Sequence, residues 1–226
     1  MIPACLHIHT KYSITSKGIQ DSRNKPQDIL RRAKKLRLGI LGITDHNTTR
    51  GAIETRKFAT APEDPLILIG QEIKTEYGDL IVYGSEEDLS GGLFDILDRV
   101  RSEGWFSVLP HPYDSIRKSS AIGMNLSSPE MAHLARKVDA VEVFNSRCLK
   151  TRFNYRAAKF AEQHNLPGVY GADAHYLGEL SNAVNLIKCG KDEKEIYAAI
   201  REGKLTCHGR RTSPINYIRR PFDRFI

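Results

Sequence analysis

The sequence predicts an α/β barrel with its chemistry at the C-terminal ends of the strands. Two observations carry this. Short β-rich runs alternate with helical patterns along the chain, and His, Asp and Glu residues fall where the runs end. Strands alternating with helices of about 10 to 15 residues form parallel βα units. Seven or so such units in 226 residues suit a closed or nearly closed barrel, with a doubly wound open sheet as the alternative.

The β-rich runs are Ala4–Ile8, Gly39–Thr44, Leu66–Ile69, Leu80–Tyr83, Phe106–Leu109, Ala140–Phe144, Gly168–Gly171 and Ala183–Ile187. Between most of them lie helical patterns. Pro26 to Leu36 has Pro at its first turn and apolar residues at Ile29, Leu30, Ala33 and Leu36. The others are Thr49–Phe58, Leu93–Arg101, Pro129–Lys137, Lys150–His164 and Glu193–Arg201, with Asp139 and Asn165–Pro167 marking exits into strands. No internal repeat, Ser/Gly linker or low-complexity tract divides the chain.

Composition is that of an ordinary globular domain, 40% hydrophobic and 27% charged, which excludes collagen-like and disordered classes. The longest apolar run, around Ile67 to Ile69, is too short to span a bilayer, and MIPACLHIHT has no basic region followed by a long apolar one. A cytoplasmic location is expected. Cys5, Cys148, Cys189 and Cys207 are scattered and form no CxxC pair, so reduced thiols are expected. The net charge of +7 is concentrated. Lys17–Arg37 holds eight basic and two acidic residues, a net +6, and Arg201–Ile226 holds seven and two, a net +5. Such segments are either solvated faces or attractors of polyanions.

The strand ends carry the candidate site. His7 and His9 close the first strand, and positions i and i+2 of a strand share a face, so both imidazoles can reach one cation. Asp45 and His46 follow the second strand, and Glu72 follows the third after Gly70-Gln71. His111 stands in Pro110-His111-Pro112, Glu142 and Asn145 end the sixth strand, and Asp173 and His175 follow the seventh. Of eight histidines, five lie at strand ends, while His133, His164 and His208 fall in helices or the tail. Imidazole with carboxylate suits Zn, Mn and Fe, and a carboxylate can bridge two ions. Neither a GxxxxGK[ST] loop nor GxGxxG occurs, and no Ser-His-Asp or Cys-His set stands out.

These residues come as His7-Ile8-His9, Ile43-Thr44-Asp45-His46-Asn47-Thr48, Gly70-Gln71-Glu72-Ile73, Pro110-His111-Pro112, Glu142-Val143-Phe144-Asn145-Ser146-Arg147 and Ala172-Asp173-Ala174-His175. In that order they resemble the polymerase and histidinol phosphatase (PHP) superfamily, from about residue 5 to about residue 212. The resemblance implies a distorted (β/α)7 TIM-like barrel over residues 1–212, with 213–226 as a basic C-terminal tail. It implies two to three divalent ions (Zn, Mn, Fe or Mg) and hydrolysis of phosphate esters by a hydroxide held between metals. His7, His9, Glu72 and Asp173 would bind one ion, and Glu72 would bridge to a second held by His111. His46 and His175 would hold a third, with Glu72, Asp173 and His111 at the reacting centre. Asp45 would either orient a ligand or cap the helix that follows.

Three positions depart from the family pattern. Thr10–Thr15 offers no acid or His to join His46 and His175, so a two-metal site or a weakly hydrolytic member is expected. Asp79 stands near the position where many members have a His after the Glu, and serves as a hard ligand instead. Cys5 replaces an Asp often found two residues before the first His. Arg147 and Arg117, with Asn145, are the expected substrate contacts, Arg being suited to bidentate phosphate binding. Tyr12 is either a stacking surface or rim packing, and Trp105 is expected in the core.

The expected substrate is a phosphorylated small molecule, a nucleotide or an oligonucleotide, the basic segments tilting toward nucleic acid, with no membrane partner. The alternative is a non-catalytic, metal-stabilised module that binds nucleic acid or protein. Amide hydrolysis ranks last, because no metal-binding Lys stands at a ligand position.

Overall fold

The computed structural model describes residues 1–216. The chain order is β1 (Ile2–Ile8), α1 (Pro26–Lys35), β2 (Ile40–His46), α2 (Arg50–Phe58), β3 (Leu66–Lys74), β4 (Asp79–Tyr83), α3 (Leu93–Glu103) and β5 (Phe106–Leu109). It continues with α4 (Ser128–Ala135), β6 (Ala140–Asn145), α5 (Thr151–Gln163), β7 (Gly168–Ala174), β8 (Ala183–Ile187), α6 (Glu193–Arg201) and β9 (Leu205–Gly209). Strands β1 to β7 pair in sequence order, and β1 bonds to both β2 and β7, which closes a seven-stranded barrel.

One strand breaks the parallel pattern. β4 runs antiparallel to both β3 and β5. Only residues 75–78 join β3 to β4, too few for a crossover, which needs a dozen or more residues. They form a hairpin turn in which Gly78 takes φ +147 and the Thr75 amide donates to the Gly78 carbonyl. The uniform βα reading therefore fails here for a reason of length. Strand β9, absent from the sequence reading, pairs antiparallel with β8, and β8 pairs antiparallel with the first residues of β1.

The barrel interior holds Leu6, Ile40, Leu68, Ile81, Tyr83, Phe106, Val108 and Val169, and α6 closes its lower end with Ile196, Tyr197 and Ile200. Outer cores lie between the sheet and α1 and α2, and between the sheet and α3 to α5. The Tyr83 ring fills the middle of the barrel, possible because Gly42 and Gly70 leave it room. A Cβ there would lie 2.7 Å and 2.5 Å from Tyr83 atoms. Apolar packing ends at Tyr83, whose hydroxyl accepts from the His7 amide at 3.3 Å, and polar side chains fill the barrel mouth above. Of the basic tail, Asn216 donates to Glu179 near this mouth while 213–215 are exposed, and 217–226 lie outside the described residues.

Candidate metal centre

Side-chain alternation places one ligand, and backbone irregularity places the next. Cys5 and Ile8 pack in the outer core while Leu6 faces the interior. His7, at φ 64, faces the interior as well, and the register with β2 shifts between Cys5 and Ile8. This bulge is what brings His7 and His9 together, with Nε2 atoms 3.1 Å apart. Asp173 (φ 49) and His111 (φ 29) are likewise left-handed, a conformation that non-glycine residues keep only where surroundings enforce it.

Four donors converge at the centre. Glu72 Oε2 lies 3.4 Å from His7 Nε2 and 3.5 Å from His9 Nε2, and Asp173 Oδ1 lies 3.8 Å and 3.6 Å from the same nitrogens. Ligands of a tetrahedral ion with ~2.1 Å bonds are about 3.4 Å apart, so the set has the dimensions of a metal site. The ring orientations agree. His7 Nδ1 is 2.7 Å from Glu142 Oε1 and His9 Nδ1 is 2.9 Å from Ser13 Oγ. With Nδ1 engaged there, both Nε2 atoms point to the centre, where an ion would meet them.

Glu72 reaches two further groups. Its Oε1 is 2.9 Å from His111 Nε2, and Asp79 completes that cluster. Its Oε2 is 3.2 Å from His46 Nδ1. His111 Nδ1 is buried without a hydrogen-bond partner among the described residues, a polar atom that the protein alone leaves unmatched. Burial alone would raise the Glu72 carboxyl, but His7 and His46 outweigh it and hold it well below the usual carboxylate range. Burial likewise opposes ionisation of Asp173, which Arg117, His7 and His175 hold well below that range.

The third group corrects an expectation. His46 and His175 do have an acidic partner. Asp21 Oδ2 lies 3.1 Å from His46 Nε2 and 3.0 Å from His175 Nε2, and His9 adjoins the cluster. Asp21 stands beyond the Thr10–Thr15 window because the chain first makes a small hairpin, bridged Ile14 to Gln20 and turned at Gly18 (φ 71). The available signal was an acid in a basic run just past a Ser-Lys-Gly turn.

The supporting residues are well defined. Besides His7, Glu142 accepts from the His111 amide at 3.0 Å and from Asn145 Nδ2 at 2.9 Å. Gly171 makes room for it, since a Cβ there would lie 1.8 Å from Glu142 Oε1. Asn145, expected to support the ligands or to touch substrate, is fully buried, braces Glu142 and is not among the residues that line the cavity. Asp45 neither caps α2 nor meets the ligands. It accepts from the amide and hydroxyl of Thr10 and so fixes the chain next to His9. Cys5 points into the outer core with Ile29 and Ala33 and is no substitute for an Asp. Trp105 packs against the outer core, and Tyr12 lies under Arg50 and Lys11.

Above these groups opens a cavity of about 280 Å³. Arg117 and Arg147 line it with Ile116 and Leu149. Arg117 donates to Asp173 Oδ2 at 2.6 Å and to Asp114 at 2.9 Å, and Arg147 pairs with the buried Glu179 at 3.2 Å.

Known proteins share this sequence and fold. The sequence model of the PHP-associated family matches residues 151–205. Two uncharacterised proteins of Methanocaldococcus jannaschii are similar. MJ0417 is 31% identical over 183 residues, 79% of this chain and 67% of its own. MJ1587 is 37% identical over 149 residues, 63% of this chain and 81% of its own. A two-domain Bacteroides vulgatus protein, containing a predicted PHP-like metal-dependent phosphoesterase, superposes with a TM-score of 0.70 at 17% identity, covering 92% of this chain and 65% of that one. The match to the PHP-associated family covers about a quarter of the chain, and the structural likeness shows a shared fold. The chain's closed barrel matches that of the PHP-like neighbour, and its His, Asp and Glu groups stand at the barrel mouth.

Proposed function

We propose that the protein is a metal-dependent hydrolase of phosphate esters. The observation that carries this is Glu72, whose two oxygens face separate sets of histidines, Oε2 toward His7, His9 and His46 and Oε1 toward His111. Two to three divalent ions fit the donors: one at His7, His9, Glu72 and Asp173, one at Glu72, Asp79 and His111, and one at His46, His175 and Asp21. When bound, such ions neutralise phosphoryl oxygens and lower the pKa of water toward 7, the main needs in cleaving a slow phosphate ester.

The chain's own residues do the rest. Glu142 and Ser13 fix the tautomers of His7 and His9. Arg117 and Arg147 present cations to an anion in the cavity, and each is braced by a carboxylate so that little side-chain freedom is lost on binding. The limited cavity and its Ile116–Leu149 rim admit a phosphoryl group with a modest leaving group. The neighbour described as containing a PHP-like phosphoesterase supports the same reaction class. The alternative of a non-catalytic module drew on the missing acid and on Cys5, and Asp21 answers the first of these.

The test is metal content of untagged protein, with turnover of p-nitrophenyl phosphate and bis-p-nitrophenyl phosphate in Mn, Zn and Mg. Two or more ions with turnover of either ester, lost in Glu72→Ala, is the expected result. Turnover retained in Glu72→Ala refutes the bridging role, and bound metal without turnover of any phosphate ester refutes the reaction class.

A further inference from the structure

The chain reverses direction at β8 and again at β9, so it leaves β9 at the metal end of the barrel. It then runs along the β6 and β7 loops. The Arg210 amide donates to the Asn182 carbonyl at 2.7 Å, and the Thr212 amide to the Ser146 carbonyl at 2.7 Å. The Thr212 hydroxyl meets Ser146 Oγ at 2.9 Å, and Asn216 donates to Glu179 at 2.9 Å. Between this segment and the end of β6 lies a second cavity of about 290 Å³, lined by Cys148, Leu149, Arg211, Thr212, Ser213 and Pro214. Leu149 also lines the metal cavity, so the two spaces share one wall.

We propose that this second cavity is a subsite for a second phosphate on the substrate, held by Arg211 beside the ester that is cleaved. The proposal deepens the phosphoesterase reading and rests on it. Among the described residues, no carboxylate lines the cavity. Cys148 is a neutral neighbour, its thiol pushed up to about 12 by burial. Among the described residues, the exposed Arg211 spends one donor, Nη1, on the Leu149 carbonyl at 3.2 Å, which holds the side chain at the shared wall with its other donors open to a ligand. A planar guanidinium offers paired donors that match phosphate oxygens. Lys150 and, after Thr151, Arg152 follow Leu149, so the local surface is cationic on both strands of chain that form the cavity. Small monoesters would use the metal cavity alone, and a bisphosphate or a nucleotide strand would use both.

The test compares wild-type full-length protein with Arg211→Met and Arg211→Lys on matched substrates. One pair is butane-1,4-diol monophosphate and bisphosphate; the other is thymidine 5′-phosphate and 5′-phosphorylated dithymidylate. The wild type should favour the doubly charged member of at least one pair by about tenfold or more in kcat/KM, the scale of a charged hydrogen bond, beyond the factor of two due to identical ends. Arg211→Met should erase that preference and Arg211→Lys should restore part of it. Preference in the first pair alone identifies a small bisphosphate, and preference in the second identifies the neighbouring phosphate of a strand. Equal discrimination in wild type and Arg211→Met for both pairs overturns the subsite. If none of the four releases phosphate, the phosphoesterase reading has failed, and calorimetric affinity of the metal-loaded protein for the bisphosphate decides the subsite. A tenfold weakening in Arg211→Met sustains it, and unchanged affinity overturns it.

Discussion

Glu142→Gln changes one atom and no shape, yet the structure predicts a large loss of metal affinity. Glu142 Oε1 faces His7 Nδ1 at 2.7 Å, and its Oε2 accepts from the His111 amide at 3.0 Å and Asn145 Nδ2 at 2.9 Å. All three partners are placed to donate, and a glutamine has only one acceptor end. If its oxygen faces His111 and Asn145, its amide group faces His7 Nδ1 and forces the tautomer that carries a proton on Nε2, where the metal binds. If its oxygen faces His7, the amide group meets two donors in a buried site. Asn145 cannot simply turn over, because its Oδ1 already accepts from the Arg147 amide and from Arg117. Either way a charge-assisted bond and the ligand's orientation are lost. Removing the partner behind a ligating histidine weakens metal binding by about 10- to 100-fold, which is ~1.4 to 2.7 kcal/mol. The assay is metal retained at fixed free Zn or Mn in a chelator buffer, read by mass spectrometry, with circular dichroism in EDTA showing an intact fold. Affinity within threefold of wild type would refute the assignment of His7 as a ligand oriented by Glu142.

Gly171→Ala should mimic this variant at a distance, since the new methyl would overlap Glu142 Oε1; a fall in metal affinity of at least tenfold is expected, and unchanged affinity would show that Glu142 yields without cost. Asp21→Asn should lower the number of bound ions by one, leaving the ions at His7 and His111 in place, as counted by mass spectrometry. Burial pushes the Asp45 carboxyl up to about 7 despite the donors from Thr10. The folded chain therefore keeps a proton that the unfolded chain sheds above about pH 4, and stability falls as pH rises from there to about 7. Asp45→Asn should flatten that fall in urea titrations made in EDTA, and an unchanged slope would exclude Asp45 as its source. His7→Gly should be more stable than His7→Ala by about 1 kcal/mol in EDTA, the reverse of the usual order, because only glycine accepts φ 64 without strain.

Much of this site was legible because its chemistry stands at strand ends. His46, Glu72, His111 and Asp173 each close or follow a β-rich run, and all converge on one mouth. The helices were legible from apolar spacing; α6 spans the residues expected, Glu193 to Arg201. What escaped was set by loops and irregular backbone. Asp21 is carried to His46 by a hairpin whose length no periodicity reveals. β9 is short and half exposed, and its alternation Leu205-Thr206-Cys207-His208 lasts only four residues before Gly209, so the run reads like the end of a loop. The direction of β4 was readable in principle from the four residues before it.

The pair His7 and His9 shows how a correct expectation can rest on an incomplete cause. Plain alternation would point residues 7 and 9 to the face opposite Leu6, into the outer core with Ile8's neighbours. The bulge at His7 reverses that parity, and the cost is a side chain held in a left-handed backbone. His111 and Asp173 repeat the pattern, so three of the six left-handed non-glycine residues among those described carry candidate ligands. Each such conformation costs on the order of 1 to 3 kcal/mol unless the surroundings compensate. Tyr83 below, Glu142 beside and the β7 ladder across supply part of that compensation. An ion that binds the folded chain alone supplies the remainder by mass action, since every tenfold excess over its dissociation constant adds about 1.4 kcal/mol. On the proposed function, ligand geometry and metal-dependent stability are one property of this barrel mouth, because the distorted residues that aim the ligands inward are the ones an ion would hold in place.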